Sequence, residues 1–158
     1  MKIAIKGIFH ERTEDAPFVG ALISAIDCNI NCDGCFNQYL KKMPTIYMTE
    51  DEIINEVLTN KFNKGIILAG LEWSLQPEEM LLIIDKAMEN NLEVIVYTGL
   101  YIKTLYKKIP EIKKKPIYVK HGKYNHNLKG DVFCHGVKLP STNQNIVKIN
   151  PYKRKYEI

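Results

Sequence analysis

The sequence lacks any apolar run long enough for a membrane-spanning helix, so we expect no membrane partner. The first fifteen residues place charges inside a strand-like pattern and show no small-residue cleavage site of the kind that ends a secretory signal. We therefore expect a cytoplasmic protein. Internal repeats, linkers and low-complexity segments are also missing, so the 158 residues predict a single domain, 1–158.

Acidic residues are fewer than basic ones, 18 against 22, and the net charge of +4 comes largely from lysines in the last third of the chain. Such a bias accompanies nucleic-acid binding, an acidic partner surface or simple solubility. No aromatic-rich nucleic-acid motif accompanies the lysines, so we expect no nucleic-acid partner. The basic residues 152–156 fit either a docking surface for an acidic partner or a solvated tail.

Cysteine is scarce, with four residues in all, yet Cys28, Cys32 and Cys35 lie within eight residues of each other. In a reducing compartment, this clustering favours metal ligation over disulfides. Three thiolates at this spacing can hold three irons of a cubane 4Fe-4S cluster and leave the fourth iron open. The amino and carboxylate groups of S-adenosylmethionine can chelate an open iron, and electron transfer into the sulfonium then frees a 5′-deoxyadenosyl radical.

Two other chemistries fit the same cysteines. Zinc accepts four cysteines, or three cysteines with one histidine. The chain offers four candidates for the fourth ligand: Cys134, His121, His126 and His135. Cys32 and Cys35 also form the C-x-x-C pair of redox thiols. The spacing favours the cluster over zinc and zinc over the redox pair, and we expect Cys134 to be a buried small side chain rather than a ligand.

Hydrophobic periodicity predicts strands that alternate with helices, which indicates an α/β protein with a mainly parallel sheet. The predicted strands are 2–8, 21–26, 65–70, 92–99 and 116–120, and the predicted helices are 50–60, 77–90 and 101–114. Residues 2–8 alternate apolar and charged side chains, as a half-buried strand does. Ligands of such sheets bind at the carboxyl ends of strands, where the cysteine loop 27–38, Gly70 and Thr98-Gly99 fall.

The loop CNINCDGCFN, residues 28–37, resembles the cysteine loop of the radical S-adenosylmethionine superfamily, in the form seen in glycyl-radical activating enzymes. Four further segments continue the resemblance in the same order across nearly the whole chain: the first is similar to a strand-end segment of the superfamily, and the other three are similar to the activating proteins of anaerobic ribonucleotide reductase. They are Gly70-Leu71-Glu72-Trp73, Val96-Tyr97-Thr98-Gly99, residues 118–124 and Ser141-Thr142-Asn143-Gln144. The chain departs from the family where Leu71 replaces a glycine, Trp73 a proline and His121 an aspartate. It also has residues 15–20 in place of the family's glycine-rich, arginine-bearing approach to the first strand.

The resemblance implies an incomplete, open (β/α) barrel of the radical S-adenosylmethionine type. It implies that the ligands of the 4Fe-4S cluster are Cys28, Cys32 and Cys35. The contacts expected for S-adenosylmethionine are Gly34, Cys35, Phe36, Gly70 and Glu72. Glu72 follows a strand-end glycine, so we expect its carboxylate to meet the methionine ammonium.

The implied reaction is hydrogen abstraction from a glycine near the C-terminus of the large chain of anaerobic ribonucleotide reductase, with a glycyl radical as the product. The implied electron donor is a reduced flavodoxin or ferredoxin. Two alternatives remain within the class: activation of another glycyl-radical enzyme, or action on a small molecule. A zinc-binding interaction module with a basic tail is the alternative from a different class.

Overall fold

The computed structural model describes residues 1–30 and 38–151. In that part of the chain, the strands of the amino-terminal half are β1 (Ile3–Ile5), β2 (Gly7–Arg12), β3 (Gly20–Ser24), β4 (Ile46–Met48) and β5 (Gly65–Ala69). The later strands are β6 (Glu93–Tyr97), β7 (Tyr118–His121), β8 (Lys129–Cys134), β9 (Val137–Ser141) and β10 (Asn145–Lys148). The α-helices are α1 (Glu50–Leu58), α2 (Pro77–Glu89) and α3 (Ile102–Lys108).

A six-stranded mixed sheet forms the centre of the structure, with the strand order β10-β7-β6-β5-β3-β2. The four inner strands are parallel to each other, while β2 and β10 are antiparallel to their neighbours at the two edges. Two separate antiparallel pairs, β1 with β4 and β8 with β9, complete the architecture. The arrangement is α/β with mixed sheets, and the open barrel implied by the resemblance stays a prediction.

The inner strands of the central sheet carry apolar side chains on both faces, and other elements cover each face. Ile66 and Leu68 of β5 lie in a core shared with α1, α2 and α3. Ile67, between them, points to the opposite face and packs with Val137 and Leu139 of β9. The hairpin formed by β8 and β9 therefore covers the face of the sheet that lies opposite the helices.

Local signals mark the beginnings of α1 and α2, whereas the helix predicted over 101–114 is α-helical only in α3 and continues as a 3-10 helix from Pro110 to Lys114. The Thr49 side chain accepts a hydrogen bond from the N–H of Glu52, whose carboxylate accepts one from the N–H of Thr49, a reciprocal capping box at α1. Proline opens α2 at Pro77, and Pro110 follows the end of α3 and begins a 3-10 helix. No helix in residues 1–30 and 38–151 is long and apolar enough to cross a membrane.

Residues 2–8 do not form the single half-buried strand that their alternation predicts. The chain changes partner at Lys6, because β1 pairs with β4 whereas β2 pairs with β3. Lys6 is only 7% exposed, so the charged position lies in the interior. Its Nζ donates to the carbonyl oxygens of Lys41 and Met43 at 3.3 and 2.6 Å and to Oγ1 of Thr45 at 3.1 Å. These acceptors, which are remote in sequence, replace the water that a surface lysine would have.

Candidate functional site

A cleft of about 270 Å³ lies at the carboxyl ends of the four parallel strands. Segments that follow β3, β5, β6 and β7 line it: Cys28 and Ile30; Gly70, Leu71 and Glu72; Thr98 and Gly99; and Gly122 and Tyr124. The remaining lining comes from Tyr97, Lys120, Pro140 and Gln144. Open α/β sheets bind their ligands at this edge, so the cleft is the candidate functional site.

The cleft brings together the predicted site residues that the structure describes. Cys28, Gly70 and Glu72 all contribute to its lining, as do Thr98 and Gly99. The other predicted residues lie outside the described part of the chain: Cys32, Gly34, Cys35 and Phe36. Their contacts with a cluster or with S-adenosylmethionine stay predictions.

Cys28 is half-buried, and its neighbours in the chain form hydrogen bonds with its main chain and its sulfur. The N–H of Ile30 donates to Cys28 Sγ at 3.5 Å, and the N–H of Cys28 donates to Oδ1 of Asp27 at 2.8 Å. An amide that donates to a cysteine sulfur is the kind of contact that orients and tunes thiolate ligands of iron–sulfur clusters. The carbonyl of Asp27 accepts a hydrogen bond from the N–H of Glu72 at 2.8 Å. The segment that carries Cys28 is therefore attached to the residues that follow β5.

Glu72 is a buried acid, 3% exposed, whose carboxylate is already engaged by the protein. Oε1 accepts the N–H of Gly99 at 2.7 Å, and Oε2 accepts the hydroxyl of Thr98 at 2.8 Å and the N–H of Ser74 at 3.1 Å. Glu72 thereby joins the end of β5 to the end of β6. A carboxylate offers about four acceptor positions, so room remains for one more donor. The expected contact with the methionine ammonium stays a prediction.

Two glycines allow close approach of main chains at the cleft. Gly70 has φ of +86°, and a Cβ there would lie 2.5 Å from Oγ of Ser24. A Cβ on Gly99 would lie 2.8 Å from the side chain of Ile30. The end of β5 therefore packs directly against the end of β3, and the end of β6 packs against Ile30, two residues after Cys28; a larger residue would displace these neighbours.

The departures from the family pattern after β5 are buried side chains. Trp73 is fully buried and donates from Nε1 to the carbonyl of Ile23 at 3.0 Å. Leu71 is 7% exposed and belongs to the same core. Both residues therefore stabilise the turn after β5 against β3.

Lys120 and Tyr97 line the cleft, although they entered the sequence predictions only within segments of resemblance and without a role in the site. Lys120 Nζ lies 4.2 Å from the ring centroid of Tyr97. Burial lowers the pKa of Lys120 to about 8, although the negative charge of Asp15 acts in the direction of a higher pKa. The Tyr97 hydroxyl donates to the carbonyl oxygen of Asp15, and burial raises its pKa. Within the described residues, Lys120 forms no ion pair. It therefore offers the cleft a cation for an anionic ligand group. The sequence signal that could have identified Lys120 was its position as a charged residue at the end of the apolar strand 116–120.

Cys134 and His121 have other partners. Cys134, the last residue of β8, is half-buried rather than fully buried as expected, and it packs against the core between the hairpin and the sheet. Its Sγ donates to Oδ1 of Asn145 at 3.3 Å and to the carbonyl of Ile146 at 3.5 Å. His121 Nδ1 accepts the first N–H of α3 from Ile102 at 3.3 Å, and burial lowers its pKa. The described part of the chain contains no group of three or more His, Cys, Asp or Glu side chains that could hold a metal ion.

Residues 19–147 match the family model of the 4Fe-4S single cluster domain. The match covers most of the 158 residues, and the chain belongs to this family. The protein is thus an iron–sulfur protein of the 4Fe-4S kind, which confirms this part of the sequence prediction and is compatible with an oxidoreductase. No curated protein matches the chain.

Proposed function

We propose that the protein is a radical S-adenosylmethionine enzyme that generates a glycyl radical on anaerobic ribonucleotide reductase. The observation that carries the proposal is the cleft that Cys28 lines together with the glycine-bearing ends of β5 and β6, at Gly70 and Gly99. Membership of the 4Fe-4S single cluster domain family supports the cluster. The cysteine loop and Gly70-Leu71-Glu72-Trp73, which resemble the superfamily, support the cosubstrate, and the three segments similar to the reductase activating proteins support the partner.

In this proposal, Cys28, Cys32 and Cys35 bind three irons, and the fourth is open to S-adenosylmethionine. When bound, the cluster supplies the electron for reductive cleavage of the sulfonium. The residues proposed to contact S-adenosylmethionine are Gly34, Cys35, Phe36, Gly70 and Glu72. The described members of both sets lie in one cleft, which is the arrangement that this chemistry needs.

The chain's own residues bind and orient the ligand. Gly70 lets the end of β5 lie close to Ser24 of β3. The buried carboxylate of Glu72 accepts hydrogen bonds from Thr98 and Gly99 and so holds these two lining residues in position. The carboxylate of S-adenosylmethionine is an anion of the kind that Lys120 can receive, because Lys120 lines the cleft without an ion-pair partner among the described residues.

The proposed partner follows from the reactivity of the radical. A 5′-deoxyadenosyl radical attacks nearby C–H bonds, so its target must be held against the cleavage site and water excluded. A glycine on a loop of a large protein suits this need, because it has no side chain to block its approach. We propose an incomplete open barrel as the fold that admits such a loop, and a reduced flavodoxin or ferredoxin as the electron donor.

The test combines product analysis with electron paramagnetic resonance. Anaerobically reconstituted protein, reduced with dithionite, is mixed with S-adenosylmethionine and with the anaerobic reductase from the same source. We expect 5′-deoxyadenosine, methionine and the doublet signal of a glycyl radical. Cleavage without the doublet would contradict the assignment of the partner and direct the search to another glycyl-radical enzyme or a small molecule. Zinc in place of iron and sulfide would overturn the proposal as a whole.

A further inference from the structure

The two flanks of the cysteine loop are joined by one side chain. Lys41 follows the loop, and its Nζ donates to the carbonyl oxygen of Cys28, at the beginning of the loop, at 2.9 Å. The same ammonium lies 3.9 Å from Oδ1 of Asp27. A lysine on the far flank therefore holds the main chain of the first predicted cluster ligand.

The segment that carries Lys41 is itself anchored by the buried Lys6. Lys6 Nζ donates to the carbonyl oxygens of Lys41 and Met43 and to Oγ1 of Thr45. Burial of a charged group costs several kcal/mol unless its hydrogen bonds are satisfied. This position of Lys6 is thus stable only while the segment after the loop stays in place. The buried side chain of Leu40 adds an apolar attachment beside Lys41.

The donors around Cys28 suit a thiolate-bound cluster. Cys28 Sγ accepts the N–H of Ile30, a contact that stabilises negative charge on the sulfur. Clusters with thiolate ligands have potentials that depend on net charge and nearby hydrogen bonds, and reduction adds one negative charge. A fixed cation stabilises the reduced state more than the oxidised state. The Lys41 side chain is 33% exposed, so solvent and salt screen its charge only in part.

We propose that Lys41 is a positioning residue for the cluster: its ammonium group holds Cys28 from the opposite flank of the loop and raises the reduction potential of the cluster. Lys6 supports this arrangement by fixing the main chain at Lys41 and Met43. The inference rests on the part of the proposed function that makes Cys28 a cluster ligand.

The test compares two neighbouring lysines that carry the same charge. Lys41→Gln removes the contact with Cys28, whereas Lys42→Gln removes a charge from an exposed side chain one residue further on. Both proteins are reconstituted anaerobically and studied without S-adenosylmethionine or a partner. The midpoint potential is measured by redox titration followed by electron paramagnetic resonance, and iron release is measured with a chelator. We expect a more negative potential and about 10-fold faster iron release for Lys41→Gln alone.

Two further variants separate charge from folding and from the ligand set. Lys41→Arg keeps the cation and is expected to retain the wild-type potential, even if Lys41→Gln holds no cluster. Equal potentials for wild type, Lys41→Gln and Lys42→Gln would overturn the inference alone. A Cys28→Ala protein that keeps its full cluster would overturn both the inference and the proposed ligand set.

Discussion

The carboxylate of Glu72 accepts a hydrogen bond from the main-chain N–H of Gly99 at 2.7 Å, and this contact joins the ends of two parallel strands at the cleft. The same carboxylate also accepts from the hydroxyl of Thr98 and the N–H of Ser74. Glu72 thus has a part in holding the site together, in addition to any contact with a ligand.

Replacement of Glu72 by alanine is expected to reduce both stability and cofactor binding. The substitution leaves buried donors of Thr98, Gly99 and Ser74 without their acceptor, at a cost of about 1 to 3 kcal/mol for each donor that finds no new partner. Urea unfolding measures the loss of stability, and calorimetric titration with S-adenosylmethionine measures binding. Glu111→Ala, at an exposed acid, is the control. Stability equal to that of the control would contradict the structural part assigned to Glu72.

Gly70 and Gly136 allow a matched test of close packing at the cleft. Both have positive φ, +86° and +78°, so alanine strains the main chain at each, by about 1 kcal/mol. Only Gly70 also has a neighbour in the way, since its added Cβ would lie 2.5 Å from Oγ of Ser24, while the Cβ at Gly136 meets nothing within 4 Å. We expect Gly70→Ala to lower the free energy of unfolding more than Gly136→Ala does. Equal losses would mean that Ser24 moves aside without cost.

The cysteines are expected to separate into ligands and a structural residue. Anaerobic reconstitution should load about four irons per chain, and Cys28→Ala, Cys32→Ala and Cys35→Ala should each abolish the intact cluster. Cys134→Ala should keep it, because Cys134, at the end of β8, donates to Asn145 and Ile146 of β10. Iron and sulfide analysis with the visible spectrum gives the answer. Loss of colour in Cys134→Ala as complete as in the other three would show that no iron is left open for S-adenosylmethionine.

The parts of the site that the sequence predicted are those with local signals. A buried strand followed by glycine or threonine predicted the cleft edge at Gly70 and at Thr98-Gly99, and both positions line the cleft. The capping box at Thr49 and the proline at Pro77 located the helices for the same reason. Local chemistry suffices for these features because the interacting groups are near each other in the chain.

The features that the sequence did not predict depend on contacts between residues far apart in the chain, or on residue types that are unusual for the element they form. Lys6 lies in the interior only because acceptors more than thirty residues later surround it. β9 contains Pro140, a residue that argues against a strand in the middle of a sheet, and among the described strands β9 in fact pairs only with β8. The preceding turn places His135 and Gly136 at positive φ, as a two-residue hairpin turn requires, but His-Gly is not one of the usual pairs for it.

Lys120 connects the electrostatics of the cleft to pH. Burial lowers its pKa from 10.5 to about 8, so the folded state binds fewer protons than the unfolded state between these two values. Stability from this group therefore rises with pH across that interval, by up to about 1.4 kcal/mol for each pH unit, and does not change below it. The charged form of Lys120 is thus a destabilising feature at neutral pH, and such a feature is expected where a binding site needs a cation.

The corresponding prediction compares Lys120→Met with wild type from pH 7 to pH 10. Methionine does not titrate. The free energy of unfolding of wild type, relative to that of the variant, should therefore increase as the pH rises through about 8. Lys103→Met, at an exposed lysine of α3, should show no such trend.

Binding of S-adenosylmethionine should change with pH in the opposite direction. The affinity of wild type should fall above pH 8 as the ammonium of Lys120 loses its proton, while Lys120→Met should bind weakly at every pH. Urea unfolding and calorimetric titration on the same samples measure the two effects. A pH-independent difference in stability would contradict the buried cation, and a variant with wild-type affinity would remove Lys120 from the ligand site.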